Sequence, residues 1–502
     1  MGMNPVSVRT NVVANFAGKA WTSLMSLAFI PLYIKFMGIE AYGLIGIFAS
    51  LMALMSLLDM GLSTTLSREL ARLAVSREND QESRDLVRTL EYVYWGVGIL
   101  IALGLVGLAP FIAQYWIKSE RIPTKTVQQA LMIMGLVVAF AWPTSLYDGG
   151  LIGLQRQVLL NSVRSVMATI QHAGAVLVLW LVSPTILAYF GWQIFISIIQ
   201  TFLLAYSVWK SLPITRRKSL FQKYLLMKNW RFAAGMMSIS IMTTILTQAD
   251  KIILSKMLPL ALFGYYVLAF NLANSLSMLV NPVFSALFPK ISQLVTEKNS
   301  ENIISEYYHK GCQIVSVIVF PVAGVLAIFS LQLLQLWVHD PVIAQNTYLL
   351  LSLLVIGSTF NALMTLPFTL QLAYGWTKLS FLKNVIAVIV LIPILFWFVS
   401  RYGAIGAAVV WIILNTSYFL IEIPIMHSRL LKPEMWRWYF QDVVLPMVVI
   451  LSLIICSRLL MPHFASGYSS LLWILSTGVL ASIVSTLSIP FSREWLKRSI
   501  AL

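Results

Sequence analysis

The chain has 502 residues, 59% of them hydrophobic and only 11% charged, with a mean hydropathy of +0.83. Soluble domains carry about 25% charged residues, and the apolar runs here are continuous over about 20 residues, not alternating in ~10-residue strands. Composition thus excludes a soluble domain and a transmembrane β-barrel, and predicts an all-α polytopic membrane protein. The net charge of +16 would point to nucleic acid in a soluble chain; in a membrane protein it is first a topology signal, and no nucleic-acid partner is inferred.

Residues 1–10 lack a small-residue cleavage site, so the first apolar run is read as a retained crossing, not a signal peptide. That run, 12–37, turns at Gly38-Ile-Glu-Ala-Tyr-Gly43 and returns over 44–62 to the charged stretch Ser67-Arg-Glu-Leu-Ala-Arg72. Asn15, Lys19, Thr22 and Ser26 share one face of the first crossing. Lipid disfavours such a stripe, so it should face protein or water.

Fourteen candidate crossings follow, near 12–37, 42–62, 91–117, 127–151, 158–182, 185–208, 232–257, 262–287, 310–338, 344–370, 379–399, 404–427, 440–460 and 469–489. With the N-terminus in the cytoplasm, the even-numbered loops and the tail collect most of the basic residues. Arg68, Arg72, Arg84 and Arg88 lie in the first of them, and Arg216, Arg217, Lys218 and Lys223 in the largest. Lys118, Arg121, Lys125 and Arg401 fall opposite, so the positive-inside rule places both termini in the cytoplasm. The basic segment 209–231, with Leu220, Phe221, Tyr224 and Leu225 at helical spacing, reads as a surface helix. Cys312 and Cys456 give neither a disulfide framework nor a metal spacing.

The opening hairpin recurs about 221 residues later: Lys35 and Gly43 return as Lys256 and Gly264, and Ala41-Tyr-Gly43 as Leu262-Phe-Gly264. Gly153-Leu-Gln-Arg156 returns as Gly375-Trp-Thr-Lys378 at an offset of 222. A duplicated lobe follows, with an N-lobe over 1–208, a linker over 209–231, a C-lobe over 232–428, and two further crossings with a basic tail over 429–502. Six crossings per repeat give both lobes the same orientation.

Lys19 and Arg164 lie about 10 Å inside their crossings at ~1.5 Å per residue. Either they line a wet interior, as Asn15 and Asn161 on the same faces suggest, or they snorkel. His172, two turns beyond Arg164, reads as a buried histidine bonded to a neighbouring helix. Polar stripes recur in the second half: Ser240, Thr244, Thr247, Lys251 and Ser255; Asn271, Asn274, Asn281 and Ser285; Ser358, Asn361, Thr365 and Thr369. They serve as helix glue or as the wall of a hydrophilic cavity. Asp250 and Lys251 are adjacent on a helix and point about 100° apart, so each is expected to have another partner. Asp59 and Asp148 are read as solvated. Asp250, Glu422 and His172 are the candidates for ion coupling, because a buried carboxylate can carry a proton. No nucleotide-binding loop, zincin, C-x-x-C or nucleophile-elbow motif is present; no catalytic residue, metal or cofactor is inferred.

Gly38-Ile-Glu-Ala-Tyr-Gly43, Asp59-Met-Gly61 and Ser67-Arg-Glu-Leu-Ala-Arg72 resemble the opening hairpin of the polysaccharide flippases, within the multidrug/oligosaccharidyl-lipid/polysaccharide exporter superfamily. Asp250-Lys-Ile-Ile-Leu254, Phe263-Gly-Tyr-Tyr-Val-Leu-Ala269 and Phe288-Pro-Lys-Ile-Ser292 resemble the start of its second lobe, and Tyr402-Gly-Ala-Ile-Gly-Ala-Ala408 the start of its twelfth crossing. The resemblance implies two six-helix lobes around a cationic central cavity. By alternating access they would move an undecaprenyl-pyrophosphate-linked oligosaccharide, an O-antigen or exopolysaccharide unit, to the outer leaflet of the bacterial inner membrane. Lys19, Arg164 and Lys251 would then offset pyrophosphate charge, while Asn15, Asn161, Asn271, Asn274 and Asn361 contact sugar hydroxyls. Membrane lipid and the polysaccharide polymerase machinery are the further partners implied. The alternatives are a multidrug/cation antiporter of the same superfamily and a peptidoglycan-precursor flippase.

Overall fold

The computed structural model describes residues 8–74, 80–297, 301–461 and 467–488; the side chains of residues 8, 9, 12, 228–240 and 243 lie outside that description, and with them the expected stripe position Ser240. Among the described residues the backbone is helical almost throughout, with an isolated bridge between Lys118 and Pro259. Eleven helical stretches are long and apolar enough to cross a membrane.

Eleven and fourteen are reconciled by two observations. The stretch Thr377–Leu430 has 54 residues and is broken at Gly403, whose φ is 57°. A Cβ on Gly406 would collide with the Phe398 carbonyl, a group that an unbroken helix would hold about 12 Å away. The chain therefore reverses there, and this stretch holds two crossings. The first and seventh expected crossings are helical, α1 (Val8–Ala28) and α9 (Lys223–Met257); the polar stripe of α1 keeps it out of the apolar set, and α9 includes residues whose side chains lie outside the description.

Contacts divide the chain into units of residues 1–264 and 265–502. The first contains α1, α2 (Ile30–Met55), α3 (Leu62–Leu73), α4 (Asp80–Phe111), α5 (Thr124–Ala141), α6 (Thr144–Gly153), α7 (Gln157–Leu181), α8 (Ile186–Ser211) and α9. The break between α1 and α2 falls just before Pro31, which has no N–H to give a preceding turn. At the expected turn, Gly38 takes a φ of 82° and breaks the helix. α1 packs on α7, α4 on α5, α5 on α8, and α3 on α6. Leu66, Leu70, Leu86, Leu90, Tyr94, Leu146 and Leu151 form the core where α3, α4 and α6 meet.

Residues 212–222 do not form the surface helix expected over 209–231; helix resumes only at Lys223, as the start of α9. The segment is held extended along α4. Asp85 accepts the Leu220 N–H (2.9 Å), the Thr89 hydroxyl accepts the Gln222 N–H (2.9 Å), and Arg84 donates to the Pro213 carbonyl (3.1 Å).

The second unit contains most of α10 (Leu260–Thr296), then α11 (Glu301–Ile328), α12 (Ser330–Val338), α13 (Pro341–Leu363), α14 (Thr365–Ala373), α15 (Thr377–Ser417), α16 (Ile423–Leu430), α17 (Leu445–Leu459) and α18 (Gly467–Ser488). α13 packs on α15 and α11; α17 and α18 pack on α11 and on each other. The sequence interval of 221 residues recurs in the helix starts of α6 at Thr144 and α14 at Thr365. Within the first unit the repeated glycines also make reciprocal contacts. A Cβ on Gly43 would stand 2.7 Å from the Leu260 carbonyl, and one on Gly264 2.5 Å from the Ile39 carbonyl. Reciprocity of this kind is the mark of a two-fold relation between the two turns.

Gly149 and Gly153 lie one helical turn apart on α6, against the Ser63 and Ser67 carbonyls of α3, with no room for a Cβ. Small residues at this spacing let helices in lipid approach closely. Gly153→Leu is expected to destabilise the protein by about 1–3 kcal/mol, seen as a lower melting temperature in detergent; an unchanged melting temperature would refute the close packing.

Candidate functional site

The polar face of α1 meets α7 in an amide seam. Asn15 Nδ2 donates to Gln157 Oε1 (2.7 Å), and Asn161 Nδ2 donates to Asn15 Oδ1 (2.6 Å) and to the Gln157 carbonyl (2.8 Å). Gly18 admits Asn161 where a Cβ would clash. Asn15 and Asn161, singled out separately in the sequence, thus bond to each other.

Lys19 is exposed, and its ammonium makes no hydrogen bond or ion pair among the described residues. The exposed apolar side chains of α1, Val13, Trp21 and Leu24, lie on another face. Five residues separate Lys19 from Leu24, which sets them about 140° apart around the helix. The ammonium therefore does not share the face that carries these apolar side chains.

Arg164, three residues beyond Asn161 on α7, is ion-paired: its Nε donates to Asp148 Oδ1 at 3.1 Å, and Nη2 reaches Oδ2. Asp148, expected to be solvated, is instead the partner of this arginine, because α6 packs beside α7 and brings the two within reach. Beyond it, His172 Nδ1 lies 2.9 Å from the Tyr33 hydroxyl of α2. This is the inter-helix bond expected of it.

A cavity of about 190 Å³ adjoins Arg164, walled by Phe48 and Met52 of α2, Gln171 of α7, and Gln193, Ser197 and Gln200 of α8. Gln171 Nε2 donates to Gln193 Oε1 (2.8 Å). The sequence reading did not single out these glutamines. Their signal was present: Gln193, Ser197 and Gln200 follow the i, i+4, i+7 pattern, and Gln171 stands two turns past Arg164.

Asp250 and Lys251 meet directly, Nζ lying 3.2 Å from each carboxylate oxygen and 2.9 Å from the Thr247 carbonyl. The lysine stem folds back far enough to bridge the angle between neighbouring positions. In the second unit, Glu422 is buried at 2% exposure and accepts from Lys383 (2.6 Å) and Gln371 (2.7 Å). Asn361 donates to Asn415 (2.9 Å), joining α13 to α15 as glue. On α10, Asn271 is half-buried, while Asn274, Asn281 and Ser285 form an exposed polar face. A cluster that the sequence did not reveal lies at the start of α11: His309 bonds Asp442, and its Nε2 lies 3.1 Å from Glu434. Gln313 also donates to Asp442 (2.9 Å).

The fold and these polar helices are those of an all-α polytopic membrane protein. The sequence profile of the family described as "Polysaccharide biosynthesis protein" matches residues 8–295, and the chain belongs to that family. It is 23% identical over 407 residues, 81% of this chain and 94% of the relative, to a putative O-antigen transporter of Shigella flexneri. Among solved structures it resembles the lipid II flippase MurJ in an inward closed conformation, with a TM-score of 0.66 and 15% identity over 97% of this chain and all of that one. It also resembles an inward-facing MATE-family multidrug transporter of the MOP superfamily, with a TM-score of 0.60 and 14% identity over 86% of this chain and 97% of that one.

Removing one member of a buried ion pair strands the other. Lys383→Met is expected to cost about 3 kcal/mol of stability, and Lys383→Met combined with Glu422→Leu to recover most of it, as measured by unfolding in detergent. Equal losses in the single and double variants would contradict the pairing.

Proposed function

We propose that this protein is a flippase that carries an undecaprenyl-pyrophosphate-linked oligosaccharide, an O-antigen or exopolysaccharide unit, from the cytoplasmic to the outer leaflet of the bacterial inner membrane. It works as a transporter, not an enzyme, with both termini in the cytoplasm and two like-oriented lobes alternating around a hydrophilic path. The family assignment and the named relatives support transport of a lipid-linked saccharide. One observation in the chain supports an anionic cargo. Three of the four carboxylates singled out in the crossings are countered by bases, Asp148 by Arg164, Asp250 by Lys251 and Glu422 by Lys383, while Asp59 accepts from the Tyr94 and Ser63 hydroxyls. Lys19 is exposed and has no such partner among the described residues.

A cation antiporter needs carboxylate charge left over to attract its cargo. Here the excess runs the other way, toward positive charge, which a pyrophosphate can meet. Arg164 and Lys251 are largely neutralised by their partners, so in this reading Lys19 carries the main attraction to the pyrophosphate. The polar face of Asn274, Asn281 and Ser285 serves the sugar, while the Asn15–Asn161 seam fastens α1 to α7.

In cells depending on this protein for surface polysaccharide, Lys19→Ala should reduce the polysaccharide to near background with the protein still in the membrane, and Lys19→Arg should retain most of it. Normal polysaccharide in the alanine variant, or efflux of cationic dyes by the purified protein in vesicles, would contradict this function.

A further inference from the structure

The glutamine-walled cavity of the first unit has a chemistry of its own. Gln193 is 3% exposed, and its Oε1 is occupied by Gln171 Nε2. That bond turns Gln193 Nε2 toward the Tyr189 hydroxyl, and among the described residues this nitrogen has no acceptor in hydrogen-bond geometry. A buried amide donor held in one orientation selects for an oxygen acceptor. The frame is stiff, since Trp192 Nε1 donates to the Gln171 carbonyl (3.0 Å) and Phe48 stacks edge-on to Phe190.

Size and charge narrow the ligand. A volume of about 190 Å³ equals roughly six waters at ~30 Å³ each, room for one pyranose ring. The Arg164–Asp148 pair leaves its edge without net charge, which disfavours a pyrophosphate there. Phe48 and Met52 offer an apolar wall for the C–H face of a sugar, opposite amides suited to hydroxyls.

We propose that this cavity is a subsite for one uncharged sugar ring of the lipid-linked cargo, with Gln193 Nε2 donating to a hydroxyl or acetamido oxygen. It rests on the flippase reading and adds a division of labour: Lys19 meets the pyrophosphate, and the glutamines read the sugar.

The test uses the full-length protein in nanodiscs and two probes, undecaprenyl pyrophosphate and undecaprenyl-pyrophosphoryl-N-acetylglucosamine. The wild type should bind the sugar-bearing lipid about tenfold more tightly, the scale of one or two net hydrogen bonds. Gln193→Leu should remove that preference and leave the affinity for undecaprenyl pyrophosphate unchanged. Ser197→Phe, which fills the cavity from a half-buried position, should do the same, so a misfolded Gln193→Leu does not leave the question open. Asp148→Asn should free Arg164 and shift preference toward a lipid bearing a uronic acid. A wild type that binds both probes equally, or variants that keep the preference, would overturn the subsite while leaving the flippase reading intact. A wild type that binds neither probe would overturn both.

Discussion

A charge inside a bilayer must find a counter-charge or water, and this constraint organises the polar half of the protein. A lone lysine or arginine near the middle of a crossing costs about 2.5–3.5 kcal/mol on insertion scales. The chain meets that cost mostly by pairing. Arg164 ties α7 to α6 through Asp148, Lys383 reaches Glu422 across the reversal at Gly403, and Lys251 closes on Asp250 within α9. The first two pairs fix helices whose apolar surfaces alone would slide freely in lipid, where no hydrophobic force distinguishes one register from another.

Where pairing stops, function is indicated. Lys19 lies on the polar side of α1, beside an amide seam that fastens α1 to α7. The seam consumes Asn15 and Asn161 and so holds the face that carries Lys19 in one orientation. A few side chains away, glutamines surround a space sized for a single ring. An exposed ammonium and an amide-lined cavity thus stand on neighbouring helices of the first unit. In the proposed function the first meets the pyrophosphate and the second the sugar.

Much of this was legible in the sequence because lipid writes strong signals. Apolar length located the crossings, even the two that one helical stretch joins across Gly403, and the 221-residue interval recurs in the helix starts at Thr144 and Thr365. Side-chain partnerships were less legible, because pairing depends on which helices become neighbours. Asp148 looked solvated until α6 folded beside α7, and Asn361 looked like cavity lining until Asn415 arrived from α15. The segment 209–231 had helical spacing, yet tertiary bonds to Asp85 and Thr89 held residues 212–222 extended. The His309–Asp442 pair joins residues 133 apart, beyond the reach of any local pattern.

The most direct measurement is a density map of the full-length protein with an undecaprenyl-pyrophosphate-linked sugar bound. The account predicts the pyrophosphate within hydrogen-bond distance of Lys19 Nζ. A pyrophosphate bound elsewhere, with Lys19 extended among lipid tails, would contradict it.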